Sequence, residues 1–167
     1  MRNIVLTRID DRLIHGEVIT GWLPSFKVNR IYLVDDVVAS DAFAKRVLQA
    51  SAPKYLHCFV YPVDVAAEKL MAQGNPKERL LVLVKTPLTI LQLVRRGVPL
   101  QTVNLGGVGP EPGRETFFKN VSLNREEVAA CDELLQKGCE IYFQLVPDQR
   151  RYEITDALRQ ARESMGL

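Results

Sequence analysis

Residues 80–84 read Leu-Leu-Val-Leu-Val, an uninterrupted apolar run. Its length suits a strand, and its lack of polar alternation requires cover on both faces. It is far too short to cross a bilayer, which takes about 20 residues. Related strand-like runs fall at 3–7, 30–34, 56–60, 102–105, 117–123 and 140–144, with helix-period segments between them. Alternation of this kind points to crossover units and an α/β fold. The sheet it predicts is open, twisted and mainly parallel, with about seven strands and helices on both faces.

The intervening helices carry recognisable ends. Thr86 is placed to cap a helix starting at Pro87, where a missing N–H costs nothing, and Gly97 to close it. Ile90, Leu91 and Val94 make its apolar stripe. Asn124 with Glu127 resembles a capping box, followed by Val128, Cys131, Leu134 and Leu135 on one face and by Gly138 at the end. Ser40 is read as the cap of a helix whose buried side includes Phe43, Val47 and Leu48. The polar tail after Pro147 is expected to form a short helix from about Thr155.

A chain of 167 residues fits one domain, 1–167. A net charge of +2 with scattered lysines and arginines gives no electrostatic case for nucleic acid. Met1-Arg2-Asn3 leads straight into the first strand with no long apolar segment, so no secretory signal is expected. Cys58, Cys131 and Cys139 are odd in number and irregular in spacing, which suits reduced thiols in a cytosolic protein rather than disulfides or a zinc site.

The polar residues that break the pattern cluster just after strands. Asp10, Asp11, Arg12 and His15 follow the first, Asp35 and Asp36 the second, and Lys85 and Thr86 the fourth. Asn104, Gly106 and Gly107 lie around the end of the fifth. In a parallel sheet these ends share one edge, where open α/β folds place their chemistry.

The loop after the first strand is the most loaded with chemistry. His15 is one of two histidines, next to Gly16 and close to Arg8, Asp10, Asp11 and Arg12. A neutral imidazole is a nucleophile near pH 7, and attack on phosphorus yields a phosphoramidate able to pass the group onward. The transferred phosphoryl needs positive partners and aimed N–H groups. Arg12 and, more weakly, Arg8 offer guanidinium forks. Asp10 or Asp11 holds the ring or braces an arginine, and Gly16 allows close backbone approach. A helix starting near Gly16 would favour the added negative charge. Lys85, Thr86 and the Asn104, Gly106 and Gly107 backbone are secondary phosphate-binding candidates. His57, inside a strand-like run, is read as structural, Trp22 as packing, and Asp35-Asp36 as a loop pair rather than a metal site.

Three other classes compete. A receiver-like signalling domain would need an acceptor aspartate at the end of the third strand, where the chain reads Tyr61-Pro62-Val63-Asp64. A non-catalytic anion-binding module would not need His15 as a nucleophile. Metal-dependent hydrolysis using Asp10, Asp35 and His15 lacks a firm ligand set.

With these residues in view, the chain resembles the enzyme IIB components of the mannose/fructose/sorbose family of the bacterial sugar phosphotransferase system. The resemblance rests on Arg8-Ile9-Asp10-Asp11-Arg12-Leu13-Ile14-His15-Gly16. It extends through Val34-Asp35-Asp36, Lys85-Thr86-Pro87, Val103-Asn104-Leu105-Gly106-Gly107 and Gln144-Leu145-Val146-Pro147. It implies a seven-stranded α/β phosphocarrier in which His15 accepts a phosphoryl group from phosphorylated IIA. The carrier then passes that group to a sugar entering through the membrane components IIC and IID. It further implies that Asp10 and Arg12 organise the site and contact the phosphate. Implied too are a cytoplasmic location against the inner face of the plasma membrane, no metal or organic cofactor, and a possible homodimer. The chain departs from the family pattern at Glu17, where glutamine is usual, at Val108-Gly109 and at Leu145. The Glu17 side chain is therefore expected to face away from His15.

Overall fold

In the computed structural model, which describes residues 2–167, strand β1 (Ile4–Asp10) occupies the middle of a seven-stranded sheet. The chain continues into helix α1, wound as a π-helix over Val18–Trp22 and as an α-helix over Leu23–Ser25, and then β2 (Arg30–Val34). Helices α2 (Asp36–Ser40) and α3 (Ala42–Ser51) lead to β3 (His57–Tyr61), α4 (Val63–Met71) and β4 (Leu80–Val84). Next come α5 (Pro87–Arg95), β5 (Thr102–Gly107), β6 (Glu115–Phe118), β7 (Val121–Leu123) and α6 (Arg125–Gln136). The chain ends with β8 (Glu140–Phe143), β9 (Tyr152–Glu153) and α7 (Thr155–Met165).

The sheet order is β3-β2-β4-β1-β5-β8-β9, parallel throughout except for the antiparallel edge strand β9. Ile9 pairs with Val84 on one side and with Leu105 on the other, so the loops after β1, β4 and β5 open side by side.

The apolar run at 80–84 behaves as its composition requires. Leu80, Val82 and Val84 face one core together with residues of α4, α5, α6 and α7. Leu81 and Leu83 face the other, where α1, α2 and α3 pack. Each fully buried Leu or Val contributes about 1.5–3 kcal/mol of transfer free energy, so cover on both faces is what makes such a strand stable. The expected helix ends at Thr86 and Asn124 form. Thr86 accepts from Leu88 N–H at 3.1 Å, and Asn124 and Glu127 make a reciprocal capping box. The tail helix from Thr155 is present.

Four expectations are corrected. The run at 117–123 is not a sheet strand. It breaks at Lys119-Asn120, and β6 and β7 form a separate antiparallel hairpin. Place seven in the sheet goes instead to β9. The α3 cap is Asp41, which accepts from Phe43 and Ala44 N–H, while Ser40 ends the preceding helix. Of the expected buried side only Leu48 packs inward, together with Ala44 and Ala52, while Phe43 is 71% exposed and Val47 is also exposed. His57 opens β3 and is exposed rather than enclosed in the strand.

No helix of the described residues is long and apolar enough to cross a membrane. The cysteines are free. Burial pushes the Cys58 thiol up to about 11 and the Cys131 thiol up to about 12.

Candidate functional site

Asp10 ends β1 with a fully buried side chain, and the site is assembled around it. Its Oδ2 accepts from Arg8 Nη2 at 3.0 Å and pairs with His15 Nε2 at 3.0 Å. Its Oδ1 accepts from the Arg12 backbone N–H at 3.1 Å and lies 3.4 Å from Arg12 Nε. Burial alone would raise the Asp10 carboxyl. The Arg8 charge, the His15 hydrogen bond and charge, and the Arg12 N–H outweigh burial and hold the carboxyl below its ordinary value. An ionised carboxylate only accepts, so Nε2 of His15 carries a hydrogen, and in the neutral imidazole the lone pair is then on Nδ1.

The loop that presents His15 is shaped by local chemistry. Leu13 N–H donates to the Asp10 carbonyl at 3.0 Å, closing a tight turn. Leu13 itself sits at φ 59°, a left-handed conformation that costs a non-glycine residue about 1–2 kcal/mol. Burial of Leu13 and Ile14 against the α1-side core offsets that strain and pins the turn. His15 then emerges with its side chain 15% exposed. Helical backbone begins at Gly16, as expected, and Ile19 N–H donates to the His15 carbonyl at 3.0 Å. The unpaired N–H groups of that first turn favour negative charge beside the ring. A Cβ on Gly16 would meet nothing within 4 Å, so the backbone at the helix start borders open space.

Arg12 is the exposed cation of the site, its side chain 49% exposed. Burial is the largest single influence and opposes its charge, but the hydrogen bonds and charges of Asp10 and Glu17 together prevail and raise its pKa. Glu17 Oε2 accepts from Arg12 Nη2 at 3.1 Å. The Glu17 carboxylate thus engages Arg12, and no hydrogen bond joins it to His15 among the described residues. Beside this pair lies a cavity of about 400 Å³, walled on its far side by Thr116, Lys119, Asn120 and Ser122 of the β6–β7 hairpin. Asp11 supports the cavity rim by accepting from Gly109 N–H at 2.7 Å.

Arg8 and Asn104, expected as phosphate contacts, are both fully buried and lie beneath the site instead. Arg8 donates to Asp10, to the Asn104 side chain and to the backbone carbonyls of Gln144 and Leu145, both at 3.1 Å. Its Cζ lies 4.6 Å from the Trp22 ring centroid, and Trp22 Nε1 donates to the same Leu145 carbonyl. Gly106 is buried against the guanidinium, which occupies the space a Cβ would take. Gly107 pairs with Asp10 across the sheet and accepts from Asp11 N–H at 2.9 Å. Thr86 spends its hydroxyl oxygen on the α5 cap. Lys85 follows β4 on the shared edge, and no hydrogen bond or ion pair joins it to the His15 loop among the described residues.

Asp35 caps α2 and Asp36 accepts from Val63 N–H, so both act as structural acceptors. Sequence reading missed three contributors: the hairpin wall, the Glu17–Arg12 pair and the 144–145 carbonyls. Only the pair had a signal, an Arg and a Glu flanking the histidine at a five-residue separation. The others depend on long-range packing.

A buried carboxylate that fixes one imidazole nitrogen, beside an exposed guanidinium and a helix start, is equipped for reversible phosphoryl attachment. Comparison with known proteins agrees with the family resemblance. The family described as "PTS system sorbose subfamily IIB component" matches residues 4–166. The fructose-specific EIIB component of Bacillus subtilis is 31% identical over 159 residues, covering 95% of this chain and 98% of the relative. The mannose-specific EIIAB component of Escherichia coli K12 is 35% identical over 158 residues, covering 93% of this chain and 48% of that protein. The IIB domain of the Klebsiella pneumoniae sorbose permease superimposes with a TM-score of 0.89 at 31% identity, covering 96% and 98% of the two chains. The chain belongs to the sorbose subfamily of IIB components of the phosphotransferase system.

Proposed function

We propose that this IIB component carries a phosphoryl group on Nδ1 of His15 between a phosphorylated IIA protein and a sugar. The observation that carries the reading is the 3.0 Å contact of His15 Nε2 with the buried Asp10 carboxylate, which leaves Nδ1 as the nucleophilic atom. In the first step the Nδ1 lone pair attacks phosphorus, and the donor's N–P bond breaks as its imidazole leaves. The proton on Nε2 stays in place, and Asp10 compensates the positive charge that develops on the ring. Arg12 and the first-turn N–H groups face the phosphoryl oxygens. In the second step a sugar hydroxyl attacks phosphorus, the Nδ1–P bond breaks, and the hydroxyl proton leaves to solvent or to the permease. Arg8, Asn104 and Gly106 serve as the platform that fixes Asp10.

The partners follow from the relatives. The Escherichia coli mannose-specific protein is named EIIAB, and this chain covers about half of it, which supports IIA as the phosphoryl donor. The similar Klebsiella domain is part of a sorbose permease, which supports membrane IIC and IID components as the partners that bring the accepting sugar to His15, and a cytoplasmic site of action.

The test uses the purified chain, phosphoenolpyruvate, the general phosphotransferase proteins and the cognate IIA, with the modified residue mapped by mass spectrometry. Label on His15, lost in a folded His15→Ala variant, is the expected result. Label on His57, or none despite an active donor, overturns the reading.

A further inference from the structure

We propose that Glu17 is a built-in placeholder for the phosphoryl group, holding the Arg12 fork until phosphate displaces it. This inference rests on His15 being the phosphorylated residue and concerns how that site is regulated.

Arg12 is held by two carboxylates of different kinds. Asp10 is fully buried and fixed by four hydrogen bonds from three residues, Arg8, Arg12 and His15, so it stays in place. Glu17 is 41% exposed, lies one helical step beyond Gly16, and reaches Arg12 Nη2 at 3.1 Å. One Glu17 oxygen takes one prong of the guanidinium, an acceptor position that a phosphoryl oxygen can also fill. A phosphoryl group on Nδ1 brings a charge of about −1.5 to −2 at pH 7 into the same small region. Glu17 and phosphate then compete for one cation and repel each other. Glu17 is the partner free to leave, because a half-exposed ion pair contributes at most about 1 kcal/mol and an exposed side chain changes rotamer in nanoseconds or less. The open cavity beside the pair gives the side chain somewhere to go.

The consequence is an arginine that is already oriented before phosphate arrives but never fully committed to it. Displacing Glu17 weakens the grip on incoming phosphate and leaves the attached group easier to hand on.

Phosphoramidate is a chemical donor that tests this without any partner protein: Nδ1 attacks phosphorus, the donor N–P bond breaks and ammonia leaves. The rate of His15 phosphorylation is followed by mass spectrometry against donor concentration for the full chain, Glu17→Gln and Glu17→Asp. Glu17→Gln removes the charge. Glu17→Asp keeps it but draws the carboxylate back by one methylene, out of reach of the fork. Both variants are expected to lower the half-saturating donor concentration roughly two- to fivefold, the range set by a half-exposed pair. A Glu17→Asp protein that behaves like the unaltered chain while Glu17→Gln is improved means general charge repulsion, and overturns the placeholder. Two unaltered variants overturn it as well. Absence of His15 labelling in the unaltered chain is a different failure, that of the phosphocarrier reading itself.

Discussion

The Arg8 guanidinium occupies the space that a side chain on Gly106 would need, with Trp22 packed 4.6 Å from its Cζ. The two strands that carry this contact, β1 and β5, are neighbours in the sheet, so neither backbone is free to retreat. Gly106→Ala therefore forces the guanidinium off its partners or the strands apart. Overpacking of a core costs typically 1–3 kcal/mol, and displacing a buried ion-paired group places this case at about 3 kcal/mol. Urea denaturation reads the change as a lower midpoint with an unchanged slope. A midpoint equal to that of the unaltered protein shows that the guanidinium has room the structure does not give it.

Asp10 joins stability and chemistry in one carboxylate. Asp10→Asn leaves Arg8 buried without a counter-charge, and breaking one side of a buried pair costs about 3–5 kcal/mol. It also removes what fixes the ring, since an amide presents Nε2 with either a donor or an acceptor. Phosphorylation of the folded variant is expected to fall by roughly 100-fold or more, the usual scale for losing an aligned proton-holding group. ¹⁵N chemical shifts of His15 provide the independent readout: a mixed tautomer in the variant, a single Nε2–H tautomer in the unaltered protein. Identical ring shifts in both would remove Asp10 from the role of orienting group.

The difference between what was legible in the sequence and what was not follows from the range of the interactions. The run at 80–84 announced a two-faced strand because burial is a property of each residue's own surface. The His15 loop was legible because a cluster of charges directly after such a strand has few structural uses. Arg8 looked like a phosphate ligand because nothing local reveals that Asn104, 96 residues away, and the carbonyls of 144 and 145 enclose it. Phe43 and Val47 looked buried because they are large and apolar on one helical face, but the core meets the adjoining stripe of Ala44, Leu48 and Ala52, a choice set by how α3 docks and not by the residues themselves. The hairpin was hidden because Lys119-Asn120 interrupts a run that otherwise reads as one strand.

Acid sensitivity follows from the same carboxylate. Asp10 has a folded-state pKa below its ordinary value of about 3.9, because Arg8, His15 and the Arg12 N–H outweigh its burial. Its contribution is therefore fully present above that ordinary value and is lost as pH falls through the lower folded-state value. Denaturant midpoints measured from pH 7 downward should decline more steeply for the unaltered protein than for Asp10→Asn, the curves converging at the acid end. Parallel curves would show that Asp10 does not carry this linkage.

Arg12 separates chemistry from stability most cleanly, because half of its side chain is exposed and its ion pairs are weak supports for the fold. Arg12→Gln is expected to shift the unfolding free energy by no more than about 1 kcal/mol. Phosphorylation of His15 should nevertheless slow by about 10²- to 10³-fold, as when a preorganised donor to developing charge is removed. Arg12→Lys keeps the charge but not the two-pronged geometry, so its rate should fall between the two. The ordering Arg above Lys above Gln, with all three proteins equally folded by circular dichroism, assigns Arg12 to the phosphoryl oxygens. A Gln variant that is phosphorylated at the full rate would leave the helix start at Gly16 to hold the group alone, and the guanidinium would be a loop brace.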